Sequence, residues 1–263
     1  MSELNIISLS KTYPGGTVAL NDFSLKVNDG ESVALFGLER SGKSTLLRML
    51  AGLEPVTSGQ ILLDGKDVTD LSAKERNVAY ALQNASLDNQ KSVFDNLAYG
   101  LRSRKMPEAA IEVKVKAVAE ILGLSDMLTR RPKTLSSVQR RRVILGRTVV
   151  REPKVYFFDD VLSGLDGELR DQTLRDILKL QLRLGATFLY ATDDITDALT
   201  VGSREAILSE GKLVQCDTPE NLYNAPANEF VAEIMGVAFT PRAVEQSVAE
   251  TEKTPRTITA EEA

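Results

Sequence analysis

The feature that most constrains this chain is the segment Gly37-Leu38-Glu39-Arg40-Ser41-Gly42-Lys43-Ser44-Thr45, set between the apolar run 33–36 and the helix-forming stretch 46–50. Its pattern, G-x-x-x-x-G-K-[ST], puts glycine where the backbone must turn sharply and approach an anion without a side chain in the way. Successive N–H groups then line an anion pocket, and the helix that follows adds its positive end. In such a loop Lys43 reaches the β- and γ-phosphates of a nucleotide as a point charge, and the Ser44 hydroxyl ligates Mg²⁺. Strand, loop and helix stand in the required order, so residues 37–45 read as a phosphate-binding loop.

Composition bounds what surrounds that loop. With 263 residues and 43% apolar content, the chain can bury one large core plus a subdomain or two. A net charge of −5 argues against general nucleic-acid affinity, which needs a basic face. Arg140-Arg141-Arg142 is a local exception and reads as a solvated helix face rather than a nucleic-acid patch. Cys216 is the single cysteine, so no intrachain disulfide can form. The absence of histidine excludes histidine acid/base chemistry and histidine metal ligation. No signal-peptide pattern opens the chain and no run approaches the length of a membrane span, so a soluble, cytosolic chain is expected.

Periodicity predicts an alternation of strands and helices, an α/β fold. Residues 4–8, 19–27, 33–36 and a hairpin over 60–68 turned at Asp64-Gly65 predict an N-terminal β-rich region. A strand over 78–82 ends in Gln83. From Ser92 to about Thr134 the period becomes helical, with Ile111, Val115, Val118 and Leu122 on one face and Gly123 ending it, the mark of a helical insert. The apolar run 155–158, a long helix over 168–184 closed by Gly185, and the run 187–191 return to parallel-sheet character. Beyond Gly236 few apolar residues remain, and residues 246–263 at least are expected to be disordered.

Further segments follow the loop: Leu135-Ser136-Ser137-Val138-Gln139 opening a helix, Val155-Tyr156-Phe157-Phe158-Asp159-Asp160 ending a strand, Ser163-Gly164-Leu165-Asp166, and Thr192-Asp193-Asp194. With Gln83 between, they resemble the nucleotide-binding subunit of an ATP-binding cassette (ABC) transporter, over about residues 5–236. The likeness is closest to the ATPases of bacterial sugar importers, as in Asp95-Asn96-Leu97-Ala98-Tyr99-Gly100-Leu101 and Asp217-Thr218-Pro219-Glu220-Asn221-Leu222-Tyr223. Those importers commonly carry a β-rich regulatory domain after the equivalent of Gly236, and none is expected here. The resemblance implies a P-loop NTPase core with an N-terminal antiparallel β subdomain and a helical insert at about 84–134, all within 1–236, followed by a tail over 237–263.

It also implies roles. Tyr13 would stack on adenine, the alternative being a surface turn tyrosine beside Pro14-Gly15-Gly16. Asp159 would hold Mg²⁺ through its shell, and Gln83 would touch Mg²⁺ and the attacking water and report nucleotide state to the insert. That insert would dock integral-membrane transporter subunits, leaving the chain peripheral on the inner face of the membrane. Two such subunits, alike or different, would close head to tail, the segment Ser136-Ser137-Val138-Gln139 capping the ATP of the other.

Three departures fall on catalytic positions. Ser137 and Val138 replace both glycines of the family's Leu-Ser-Gly-Gly-Gln, and a β-branched Val138 hinders close approach to phosphate. Asp160 stands where the family has the water-polarising glutamate, one methylene short, and a misplacement of about 1 Å can cost on the order of 100-fold in rate. Asp193 replaces a histidine that contacts the γ-phosphate; like charges about 4 Å apart repel by roughly 4 kcal/mol at an intermediate dielectric. Arg40 either supplies a compensating cation or simply pairs with Glu39. The sequence therefore predicts a subunit that binds Mg-ATP but hydrolyses it slowly, with a fully active transport ATPase as the alternative and a soluble repair or translation protein as a distant third.

Overall fold

The computed structural model describes residues 3–82, 86–165 and 167–239. Gln83, Asp166 and the tail segment 246–263 lie outside them. β1 (Leu4–Thr12) pairs antiparallel with β2 (Val18–Val27); β3 (Ser32–Phe36) leads into the phosphate loop and α1 (Lys43–Leu50). The hairpin of β4 (Ser58–Leu63) and β5 (Lys66–Asp67) returns to β1, giving an antiparallel sheet in the order β2-β1-β4-β5. Asp64 and Gly65 both take positive φ, 54° and 73°, as a two-residue hairpin turn of this twist demands.

The rest of the chain builds β6 (Ala79–Leu82), α2 (Val93–Arg102), α3 (Glu108–Ile121), α4 (Ser137–Val149), β7 (Val155–Asp159), α5 (Gly167–Leu184), β8 (Thr187–Thr192) and α6 (Ile195–Val201). A hairpin of β9 (Arg204–Ser209) and β10 (Lys212–Asp217) and two short helices, α7 (Pro219–Asn224) and α8 (Glu229–Met235), follow. The second sheet has the order β10-β9-β3-β8-β7-β6. Its neighbours pair parallel except at the β10 edge. Every residue of β7 and β8 is buried, as expected of parallel strands covered on both faces.

Register decides where the functional segments meet. Phe36 aligns with Thr192, Ala191 with Asp159 and Asp159 with Leu82. The loop after β3 and the turns after β7 and β8 therefore emerge along one edge of the sheet, at the carboxyl ends of its strands, where α/β sheets bind ligands.

On one face of this sheet, α1 and the antiparallel sheet share a core with Val33, Phe157 and Leu189. On the other, Tyr156, Phe158, Phe188 and Tyr190 meet α2 to α5, with Tyr156 and Phe188 stacked at 4.8 Å. In α3, Ile111, Val115 and Val118 are buried on one face as the period predicts. Gly123, at φ 63°, ends that helix, and the Leu124 amide closes back on Ala119 O at 2.7 Å.

The run Arg140-Arg141-Arg142 corrects the expectation of a solvated face. Three consecutive helical residues point about 100° apart, and only Arg140 is exposed. Arg141 is buried and donates to Val161 O, while Arg142 Nε bonds the buried Asp176 at 2.7 Å. Arg141 and Arg142 brace α4 against the turn after β7 and against α5, while Arg140 donates to Leu135 O just ahead of its own helix.

Candidate nucleotide site

Two glycines make the phosphate loop possible for different reasons. A Cβ on Gly37 would lie 2.5 Å from Ser41 Oγ and 2.6 Å from Leu208 O, so this position is closed by packing. Gly42 takes φ 103°, and a Cβ there would also lie 2.5 Å from Ala19 O. Arg40 likewise takes positive φ, 64°, which turns the loop without help from glycine.

Lys43 folds back over the loop: its ammonium donates to Gly37 O, to Leu38 O at 3.1 Å and to Ser41 Oγ at 3.3 Å. Burial lowers its pKa, while Asp193, Asp160, Asp159 and Glu39 oppose that shift. The ammonium is thus poised among carboxylates and loop carbonyls that a triphosphate would replace. Ser44 Oγ donates to Asp159 Oδ1 at 2.8 Å. Two hard oxygen donors at one spot beside an anion pocket suit Mg²⁺, which typically takes one or two protein oxygens and leaves the rest to phosphates and water.

A cavity of about 420 Å³ is lined by Tyr13, Thr17, Val18, Ala19, Arg48 and the loop residues Arg40 to Thr45. The Tyr13 hydroxyl lies 3.3 Å from Thr45 Oγ1 and the Lys11 ammonium sits 5.1 Å from the centre of its ring. Tyr13 is therefore part of the wall beside the loop. Leu38 and Glu39 are exposed at the loop's tip. Among the described residues, Arg40 makes no ion pair with Glu39 or with Asp193.

Facing the loop are the turns after β7 and β8. Asp160 takes φ 50° and donates its amide to Ala191 O at 2.9 Å. Its carboxyl is pushed up from the usual range by burial, by Asp193 and by Asp159, against a hydrogen bond from Ser163 and the charge of Lys43. Asp193 is exposed at the end of β8. Asp194 caps α6 through the amides of Thr196 and Asp197.

Arg170, on α5, ties these turns together, donating to Leu162 O at 3.2 Å and to Asp194 and Asp197 at 2.7 Å each. Sequence reasoning missed Arg170 and Tyr80, whose hydroxyl donates to Asp159 Oδ2, and took the buried Arg141 for part of a solvated face. Nothing in local pattern marks Arg170, but a tyrosine on the strand leading to Gln83 was a signal available for Tyr80.

Ser136 opens α4 with a reciprocal cap: its Oγ accepts from the Gln139 amide at 3.2 Å and Gln139 Oε1 accepts from the Ser136 amide at 2.9 Å. Ser136 and Ser137 are exposed and Val138 and Gln139 half-buried, and none of the four lines the cavity with the loop. A second cleft, of about 670 Å³, lies between the helical segment and β6, with Lys74, Tyr80, Tyr99, Arg104, Arg147 and Arg151 in its wall.

A family model described as ABC transporter matches residues 20–163. The sn-glycerol-3-phosphate import ATP-binding protein UgpC of Bordetella avium is 45% identical over 236 residues, 90% of this chain and 65% of that protein. The UgpC of a Jannaschia species is 43% identical over 90% of this chain and 68% of its own length. This chain spans just under two thirds of the length of the first of these relatives. A nucleotide-free ATP-binding cassette from an ABC transporter, known from its crystal structure, superposes with a TM-score of 0.76 at 25% identity, covering 89% of this chain and 98% of that one.

Proposed function

This chain belongs to the ABC transporter family, and on that premise we propose that it is the ATP-binding subunit of an importer, holding Mg-ATP while hydrolysing it slowly. The observation that carries the reading is a division within one site. Lys43, Ser44 and Asp159 stand together around a loop whose backbone is preformed, whereas Asp160 and Asp193 crowd the same space with negative charge.

In this reading Lys43 leaves the loop carbonyls for the β- and γ-phosphates, and Tyr13 offers its ring to the base. Mg²⁺, held by Ser44 and Asp159 with Gln83, would offset the charge that develops on the phosphates. Asp160 accepts a proton from the attacking water, but from a shorter side chain. Asp193 adds repulsion where a donor is needed, and Val138 holds a second subunit's ATP at greater distance. One observation favours the alternative of an active motor: burial and neighbouring carboxylates raise the Asp160 carboxyl toward the range a general base needs.

The domain would be the span 1–236, with residues 84–134 as its helical subdomain and the tail 237–263 outside it. The basic cleft beside β6 would receive a helix of the membrane-spanning partner. Two copies, or one copy with a different cassette, would close over two nucleotides at the cytoplasmic face of the membrane. Relatives named for sn-glycerol-3-phosphate import support a small polyol or carbohydrate cargo; its choice rests with the membrane and external subunits. Isothermal titration tests the binding half: Mg-ATP should bind the unaltered chain in the micromolar range or tighter (about −8 kcal/mol). Absence of binding would end the reading.

A further inference from the structure

The carboxylate at the end of β7 is gripped from two sides, and the phosphate loop accounts for only one of them. Ser44 Oγ donates to Asp159 Oδ1, and the Tyr80 hydroxyl donates to Oδ2. Asp159 is 8% exposed, so few water molecules compete for either oxygen. Tyr80 stands on β6 opposite Phe157 of β7, two residues before the Leu82–Asp159 pair. Its ring packs against the core that carries α1 and β7, and it also forms part of the wall of the basic cleft. A phenol fixed in this way is a donor aimed at a single carboxylate oxygen.

The last torsion of an aspartate is broad, so a carboxylate held at one oxygen alone can swing. A charge-assisted O–H···O⁻ bond at the second oxygen removes that freedom. Oxygen atoms that serve a metal, directly or through its water shell, depend on such outer partners, whose loss typically costs 10- to 100-fold in metal affinity.

We propose that Tyr80 is a positioning residue for Mg²⁺: its hydroxyl fixes the plane of the Asp159 carboxylate so that Oδ1 stays beside Ser44 where the metal is taken up. The inference rests on the reading of Ser44 and Asp159 as the Mg²⁺ pair. It assigns Tyr80 no contact with nucleotide and no part in proton transfer.

Tyr80→Phe removes the donor and keeps the ring. Binding of a fluorescent ATP analogue would be measured in the unaltered chain and in Y80F, first in EDTA and then across a Mg²⁺ titration, with Mn²⁺ binding read by electron paramagnetic resonance as a measure independent of turnover. The expected result is unchanged metal-free nucleotide binding and a Mg²⁺ midpoint raised about 10-fold in Y80F, with a parallel loss of bound Mn²⁺. A midpoint unchanged within about twofold, or lowered, overturns the inference and leaves the nucleotide-binding reading standing. Loss of metal-free nucleotide binding in Y80F also overturns it, since the hydroxyl would then serve the fold rather than the metal. If the unaltered chain binds the analogue without any response to Mg²⁺, the Mg²⁺ pair and the inference fall together.

Discussion

The phosphate loop and the two turns that face it are built to different standards of constraint. In the loop the backbone makes the anion pocket, and a Cβ at Gly37 or Gly42 would come within 2.5 Å of its neighbours, well inside van der Waals contact. In the turns after β7 and β8 side chains make the site, and they are held by hydrogen bonds reaching in from elsewhere: Arg141 to Val161, and Arg170 to Leu162, Asp194 and Asp197. In the proposed reading, the backbone half keeps its affinity for phosphate while the side chains of the turns change, because different contacts fix the two.

The largest effect expected from breaking the first half comes from Lys43→Ala. Removing a desolvated cation that pairs with phosphate costs upwards of 2 kcal/mol, so calorimetric affinity for Mg-ATP should fall about 30-fold or more with little change in melting temperature. An affinity within tenfold of the unaltered chain would show that the loop's amides bind nucleotide without the ammonium.

Arg170→Met breaks the brace on the second half. It leaves Asp197, 4% exposed, without its cation, and a stability loss of about 2–3 kcal/mol should appear in urea denaturation. The loop half should still bind nucleotide in the folded fraction, and parallel loss of both properties would contradict the independence of the halves.

Asp193→His acts between the halves. Asp193 and Lys43 attract each other across the site, and Asp193 raises the Asp160 carboxyl. Exchanging this anion for a donor should tighten Mg-ATP about tenfold, well short of the Coulomb limit because Asp193 is exposed. Unchanged affinity would remove Asp193 from the electrostatics of the site.

The remaining expected effect lies outside both halves. Glu205 on β9 is fully buried, with no hydrogen-bond partner beyond its own amide among the described residues, and burial lifts its carboxyl to about 7 from 4.5. A carboxyl raised in the folded state contributes stability that is complete below pH 4.5 and is lost as pH rises through about 7. Glu205→Gln should flatten the fall in melting temperature between pH 5 and pH 8, on the order of one pKa unit's worth of free energy or more. An unaltered slope would mean that water or backbone movement solvates Glu205.

These halves also differ in what the sequence discloses. The loop was legible because it depends on residue types at fixed spacing, and the α/β order of strands 33–36, 155–158 and 187–191 followed from apolar runs. The β9–β10 hairpin was not anticipated: Arg204 and Glu205 open its first strand with charge, and Glu205 is buried against expectation for its type. Its turn, Glu210-Gly211 with φ of 48° and 74°, was the available signal. The burial of Arg141 and the reach of Tyr80 to Asp159 arise from contacts 20 and 79 residues apart, which no local period encodes.

The central claim, binding separated from turnover, is tested most directly by phosphate release from saturating Mg-ATP, comparing the unaltered chain, Lys43→Ala as the blank, and the double change Asp160→Glu with Asp193→His. The account predicts release from the unaltered chain barely above the blank, despite full occupancy, and at least about a tenfold gain in the double variant. Steady release by the unaltered chain at ordinary enzyme rates, about 1 per second or faster, abolished by Lys43→Ala, would contradict it and make Asp160 a working base.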